Sequence, residues 1–401
     1  MDIDRLISDR ALKIDASGIR RVFDLGAKLV DPINLSIGQP DFPVPTPLKD
    51  AAIAAIQSNA NGYTVTQGVA PLRHRIAFHL KTDLGWQIDT RSGKEADPSS
   101  PGLLVASGTS GDLLLAFMAL LNPGDEAIIA DPYFVMYPHV ARMVGATPVL
   151  CDTYPDFRLT AARVEPLITP RTKLVLLNTP SNPAGIVATA KECQELLALC
   201  RDRNILLVSD EIYDEFTYPD AREVSPSGSA NPARCPSPAR FPGAQHNVLL
   251  VRGFGKTYGC TGWRLGYAAG PRRIIEEMSK LQQYTFVCAP APLQWGVLPA
   301  LDYDMSPHID EYRKRRDLVV NRLAPLTQLA APGGAFYAFP EVPPRLGLTA
   351  SQFIEKALER NLLVIPGNVF SKRDTHFRIS YATDERSLTR GLDALSELLT
   401  G

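Results

Sequence analysis

The chain has 401 residues, 45% of them apolar and 21% charged, with a formal net charge of -1. That length supports at least one large core and predicts two domains, because single cores stop growing near roughly 250–300 residues. The balanced charge leaves no basic excess for nucleic-acid phosphates or an acidic membrane surface, so neither partner is expected.

The opening segment MDIDRLISDR alternates charged and apolar residues and lacks the basic and apolar regions of a secretion signal. No run of about 18 apolar residues follows, so no membrane span is expected. His74 and His79 stand five apart on a predicted helix and diverge, and no metal site is expected.

From about residue 102 to 270, the short apolar runs LLVAS, EAIIA, TPVLC, KLVLLN, ILLVSD and NVLLV alternate with stretches of helical period. Most are bounded by Gly, Pro, Asn or Asp, the pattern of buried parallel strands. Between two of them, Thr189 and Glu192 make a capping box, Cys193, Leu196, Leu197 and Cys200 mark one helix face, and Asn204 ends the helix. Strand, helix, strand in repetition predicts an α/β sheet covered on both faces. Residues 219–246 are so rich in Pro, Ser, Gly and Ala that they predict a long surface loop.

After about residue 295 a charged helix around EYRKRRDLVVNRL is followed by short strands in GAFYAF, LLVIPG and FRISYA and a helical pattern at SQFIEKALERN. These predict a smaller α+β domain, which the early segment ending NLSIGQPDF is expected to join. The six cysteines are scattered without a C-x-x-C pair, which fits reduced thiols and a cytoplasmic setting.

Several segments carry candidate chemistry. In VRGFGKTYGCTGWRLGYAAG, Arg252, Lys256 and Arg264 fall in one turn-rich stretch after a strand, suited to an anion. A nucleotide P-loop is excluded because the position five before Gly255 is Leu250 rather than glycine. A solvated surface lysine is the plain alternative. Ser107-Gly108-Thr109-Ser110-Gly111 stands between a strand and an apolar helix, where free N–H groups favour phosphate or simply form an N-cap. LNTPSNPAG places Asn178, Ser181 and Asn182, and LLVSDEIYDEF places Asp210, Glu211, Tyr213 and Asp214, at the carboxyl ends of strands, where open α/β sheets bind ligands. Singly, each also reads as a turn, a cap or a core aromatic.

Taken in order, IGQPDF, YT-x-x-x-G-x-x-x-LR, SGTSG, DPYF-x-x-Y, TPSNPAG, SDEIYDEF, K-T-Y-x-x-T-GWRLGY and FRISYAT resemble the fold-type I aminotransferases of the aspartate aminotransferase family, class I/II, over residues 34 to 383. The resemblance implies a large domain over 46–295 with a mostly parallel seven-stranded sheet covered by helices. It implies a smaller α+β domain at 296–401, joined by the N-terminal segment 1–45. The implied cofactor is pyridoxal 5'-phosphate, and the implied reaction is ping-pong transamination between an L-amino acid and a 2-oxo acid.

Position by position, Lys256 matches the family's Schiff-base lysine, which both anchors the cofactor and carries the proton. Asp210 matches the carboxylate facing the pyridinium nitrogen, Tyr213 and Asn182 the pair bonding the ring oxygen, and Phe134 the ring-stacking aromatic. Gly108, Thr109, Ser110 and Arg264 match the phosphate site, completed by Tyr63 from a second subunit, which implies a homodimer. Arg378 matches the clamp on the substrate α-carboxylate, assisted by Asn182 and the backbone of Gly38.

The chain departs from the family where serines usually precede the lysine: here Gly253 and Gly255 stand. Phosphate binding is therefore expected to lean on Arg264, Thr109, Ser110 and backbone groups, or on Arg252. Two other activities share much of this pattern. A carbon–sulfur β-lyase would use Lys256, Asp210, Tyr213 and Arg378, and a non-catalytic ligand-binding regulator would keep the fold alone. The preferred amino donor is not assigned by these motifs.

Overall fold

A computed structural model of the chain describes residues 1–12, 14–15, 18, 26, 29–91, 93–224 and 233–401. Its centre is a seven-stranded sheet: β1 (Gly102–Ala106), β2 (Glu126–Asp131), β3 (Thr147–Asp152), β4 (Thr172–Asn178), β5 (Leu206–Asp210), β6 (Val248–Gly253) and β7 (Gly266–Gly270). The spatial order is β1-β7-β6-β5-β4-β2-β3, and only β7 runs against its neighbours. Six of these strands coincide with the apolar runs. The seventh, GYAAG, is built of glycine, alanine and one tyrosine, and its lack of β-branched residues hid it from periodicity.

Alternating side chains divide the sheet between two cores. Leu103 and Val105 of β1 join Val175, Leu207 and Leu250 in one, against helices α1 (Ala70–Leu84) and α4 (Ala190–Asp202). Leu104 and Ala106 join Leu174, Val208 and Val251 in the other, against α2 (Gly108–Leu120), α3 (Met136–Met143) and α5 (Arg272–Tyr284). Continuous apolar strands arise because both faces are dry. The start of α4 is fixed by the capping box: Thr189 Oγ1 accepts from Glu192 N at 3.2 Å, and Glu192 Oε2 accepts from Thr189 N at 2.8 Å.

A small antiparallel sheet of β8 (Tyr337–Ala338), β9 (Ile365–Pro366) and β10 (Phe377–Ser380) has the order β9-β10-β8. Ile33–Asn34 pairs in parallel with Leu362–Leu363, so the early segment meets the C-terminal region. Helices α6 (Ser306–Leu323) and α7 (Glu385–Thr400) pack nearby on each other. Among the described residues, no helix is long and apolar enough to cross a membrane.

The surface loop expected at 219–246 is corrected over 235–241, while residues 219–224 are exposed or half-buried and residues 225–232 lie outside the described residues. Cys235, Pro236, Ser237, Pro238, Ala239, Arg240 and Phe241 are buried. Ser237 Oγ donates to Glu211 at 2.6 Å, Arg240 donates to Asp83 at 3.0 Å, and the Ala239 carbonyl accepts from Trp86 at 3.0 Å. Composition argued against a core element here, yet Pro238–Arg240 forms a short 3-10 helix and Ala239, Phe241 and Ala244 join the main core. Composition could not show that buried carboxylates elsewhere in the fold require these polar groups as partners.

Candidate active site

A cavity of about 500 Å³ opens at the carboxyl ends of the central strands, within the range of small-molecule sites. The start of α2 contributes Gly108, Thr109 and Ser110, and α3 with the turn before it contributes Phe134 and Tyr137. Asn178 ends β4 and Asn182 follows it, Asp210 ends β5 with Tyr213 three residues beyond, and Lys256 and Arg264 follow β6. From the small sheet come Tyr337 of β8 and Arg378 of β10, with Gly38 and Gln39 of the early segment beside them. Every residue that the family resemblance assigned to cofactor or substrate, Tyr63 excepted, thus lines one cavity, whereas Ser181, Glu211, Asp214 and Arg252 do not. Tyr63 is 88% exposed and does not line this cavity.

One end of the cavity is an anion cradle. Ser107 precedes α2 without capping it through its side chain, so the first N–H groups of the helix stay open. Arg264 takes a left-handed backbone conformation, φ +53°, and its guanidinium lies against Gly108. A Cβ at Gly108 would stand 2.8 Å from Arg264 Nη2, and φ there is +71°, so only glycine admits the guanidinium this close to the helix start.

Asp210 marks the floor. Its Oδ2 accepts from Tyr137 Oη at 2.8 Å and its Oδ1 from Ile212 N at 3.2 Å, but no cation of the described residues pairs with it. Burial pushes this carboxyl up to about 6, against the pull of the Tyr137 hydroxyl. Lys256 Nζ donates to the Gly38 carbonyl. Burial, then the charges of Arg378 and Arg264, push its amine down to about 7.

Opposite the cradle, the guanidinium of Arg378 is buried with no acidic partner among the described residues. Its Nη1 donates to Asn182 Oδ1 at 3.0 Å and its Nη2 to the Ser36 carbonyl at 2.9 Å, while its buried Nε has no hydrogen-bond partner among the described residues. A buried cation left half satisfied is costly unless an anion arrives. The donor set therefore fits a phosphorylated, positively charged ring bearing an aldehyde, together with a substrate carboxylate: cradle, unpaired Asp210, free amine and unpaired Arg378.

The alternative expectation, phosphate binding that leans on Arg252, is corrected. Its guanidinium is 3% exposed and turned to the other face of the sheet, donating to Glu211 at 3.1 and 2.9 Å and to Asp83 at 2.9 Å. The missing serine at Gly253 also has a local reason. A Cβ there would lie 2.8 Å from Ile212 Cδ1 and 3.1 Å from Thr109 Cγ2, so neighbouring side chains already fill the space. Sequence reasoning left Tyr137 and Tyr337 without roles. Tyr137 stood in the quoted motif DPYF-x-x-Y, whereas Tyr337 carried no signal beyond an aromatic-rich strand.

Comparison with known proteins agrees with this geometry. The family profile "Aminotransferase class I and II" matches residues 30–395. A putative aminotransferase, YugH, of Bacillus subtilis (strain 168) and an aspartate aminotransferase of Pyrococcus abyssi are each 34% identical over 403 residues, covering 98% of both chains in each pairing. The Thermus thermophilus aspartate aminotransferase solved with maleate superposes with a TM-score of 0.87 at 30% identity, covering 98% of this chain and 99% of that one. A chain that matches the profile over nearly its whole length, and gathers a half-buried lysine, an aspartate without a cation and an arginine without an acid in one cavity, belongs to the class I and II aminotransferases.

Proposed function

We propose that this aminotransferase holds pyridoxal 5'-phosphate on Lys256 and runs both halves of an amino-acid to 2-oxo-acid exchange in the one cavity. The observation carrying this reading is the half-buried Lys256 amine, lowered to about 7, in one cavity with Asp210 and the anion cradle. When bound, the cofactor supplies an electron sink that lets the α-proton of an amino acid leave.

The chain's own residues do the rest. Lys256 Nζ would hold the cofactor at its aldehyde carbon, with the aldehyde oxygen lost as water, and, once the substrate amine has taken its place, would take and return the α-proton as a general base and acid. Asp210 keeps the ring nitrogen protonated, and its burial strengthens that pairing. Tyr213 and Asn182 donate to the ring oxygen, and Phe134 covers the ring face. Gly108, Thr109, Ser110 and Arg264 take the phosphate. Arg378 takes the substrate carboxylate through its fork, aimed by Asn182, with the Gly38 backbone alongside.

The domains run over 46–295 and 296–401, with 1–45 completing the smaller one. A homodimer supplies Tyr63 to the partner's phosphate site, a role its exposure supports. A reducing cytoplasm suits the six free cysteines.

The test is Lys256→Ala. It should remove together the yellow colour, the covalent modification retained after borohydride, and turnover in a panel of amino donors with 2-oxoglutarate or pyruvate. Turnover persisting in this variant, or a label on another lysine, would overturn the reading. Pyruvate release from cysteine conjugates without an oxo acid would redirect it to elimination.

A further inference from the structure

We propose that Tyr337 is a positioning residue of this active site, its hydroxyl strengthening Tyr213 as a donor while its ring seats the guanidinium of Arg378. The proposal rests on the reading of Tyr213 as donor to the cofactor's ring oxygen.

Tyr337 stands on β8, opposite Ser380 of β10, and is buried in the wall of the active-site cavity. Its Oη lies 3.0 Å from Tyr213 Oη, with the two rings edge to face at 5.8 Å. The Arg378 guanidinium stacks over the Tyr337 ring at 4.5 Å. A Cβ built on Gly38, the residue whose carbonyl accepts from Lys256 Nζ, would stand 3.2 Å from the Tyr337 hydroxyl. One side chain therefore touches the carboxylate clamp, borders the lysine's acceptor and bonds the ring-oxygen tyrosine.

A phenol has a single hydrogen to give. If Tyr213 gives its own to the ring oxygen, the short contact between the two hydroxyls holds only with Tyr337 donating. Arg378 favours that direction: burial pushes the Tyr337 phenol up, and the adjacent positive charge pulls it back. A hydroxyl that accepts one hydrogen bond donates a stronger one in turn. Tyr213 then better stabilises negative charge on the ring oxygen, and the bound chromophore loses its proton at lower pH.

The experiment is Tyr337→Phe in the cofactor-loaded enzyme, a change that removes the hydroxyl and keeps the ring under Arg378. The visible absorbance titration of the chromophore should move up by roughly half to one pH unit, the size of one neutral hydrogen bond. In the Tyr213→Phe background the same substitution should move the midpoint no further. Turnover should fall roughly three- to tenfold with KM for the amino donor nearly unchanged, since the ring stack survives. An unmoved midpoint, or shifts that simply add in the double variant, would overturn the proposal. A wild-type enzyme with no titrating chromophore would instead defeat the reading of Lys256 and Tyr213 on which it rests.

Discussion

Arg252→Met tests the network behind the active-site strands. Arg252 and the two acids it bonds are all buried, their side chains 3%, 4% and 0% exposed for Arg252, Asp83 and Glu211. Methionine deletes both hydrogen bonds to Glu211, the bond to Asp83 and a 3.1 Å pairing with Asp214, while filling much of the same volume. Asp83 keeps Arg240 at 3.0 Å, but among the described residues Glu211 is left with only the hydroxyls of Ser209 and Ser237. Removing one partner of a buried ion pair costs about 3–5 kcal/mol, because the other charge stays buried. Most of that cost should fall on Glu211. Chemical unfolding at fixed cofactor concentration should therefore show a clearly lower midpoint for Arg252→Met, and adding Glu211→Gln should recover a large part of the loss. A single variant within about 1 kcal/mol of the parent, or a double variant no better than the single, would refute the charge accounting.

Two further outcomes follow from buried titrating groups. With the Lys256 amine lowered to about 7, uptake of cofactor by cofactor-free protein should rise about tenfold per pH unit below that value and level off above it; a rise continuing past pH ~9 would mark an ordinary lysine. Asp112, in the first turns of α2, is fully buried with neither oxygen bonded among the described residues, and burial, then the nearby Asp210 carboxylate, raises its carboxyl well above the usual range. An acid raised on folding binds more protons folded than unfolded, so its cost begins above an unfolded value of about 3.9 and grows as pH climbs toward the folded one. Asp112→Asn should raise the unfolding midpoint of cofactor-free protein, and by more at pH 8 than at pH 5; an equal or larger gain at pH 5 would contradict this sign.

The elements written in local patterns were legible in the sequence. Thr189 and Glu192 announced a helix start because a cap needs only residues three apart. The sites at strand ends, Asn182, Asp210 and Lys256, stood out because polar groups there interrupt otherwise apolar runs. β7 was not legible: its glycines allow close approach rather than advertise a strand, a Cβ at Gly266 falling 2.6 Å from Thr109 N and one at Gly270 falling 2.6 Å from the Val248 carbonyl. Tyr337 was hidden differently. Its partners Tyr213 and Arg378 are 124 and 41 residues away, and nothing local marks a tyrosine whose hydroxyl is already bonded.

Arg252 and Lys256 show where the boundary lies. Four residues apart in one basic stretch, they read alike as candidates for an anion, yet they end on opposite faces. Strand register decides between them. Asp210 pairs with Val251, so both point to the face shared with α2 and α3, where Tyr137 reaches the aspartate. With a side-chain period of two, the next residues, Glu211 and Arg252, must turn together to the face covered by α1, where Asp83 waits. Once β5 and β6 are known to be neighbours, Arg252 is committed to a structural ion pair. Lys256 escapes that constraint because it follows the strand, on the short helical turn Phe254–Thr257, which carries its amine back across the strand end into the cavity. The chemistry of each residue was present in its side chain, but its role depended on a pairing between strands that no single stretch of sequence contains.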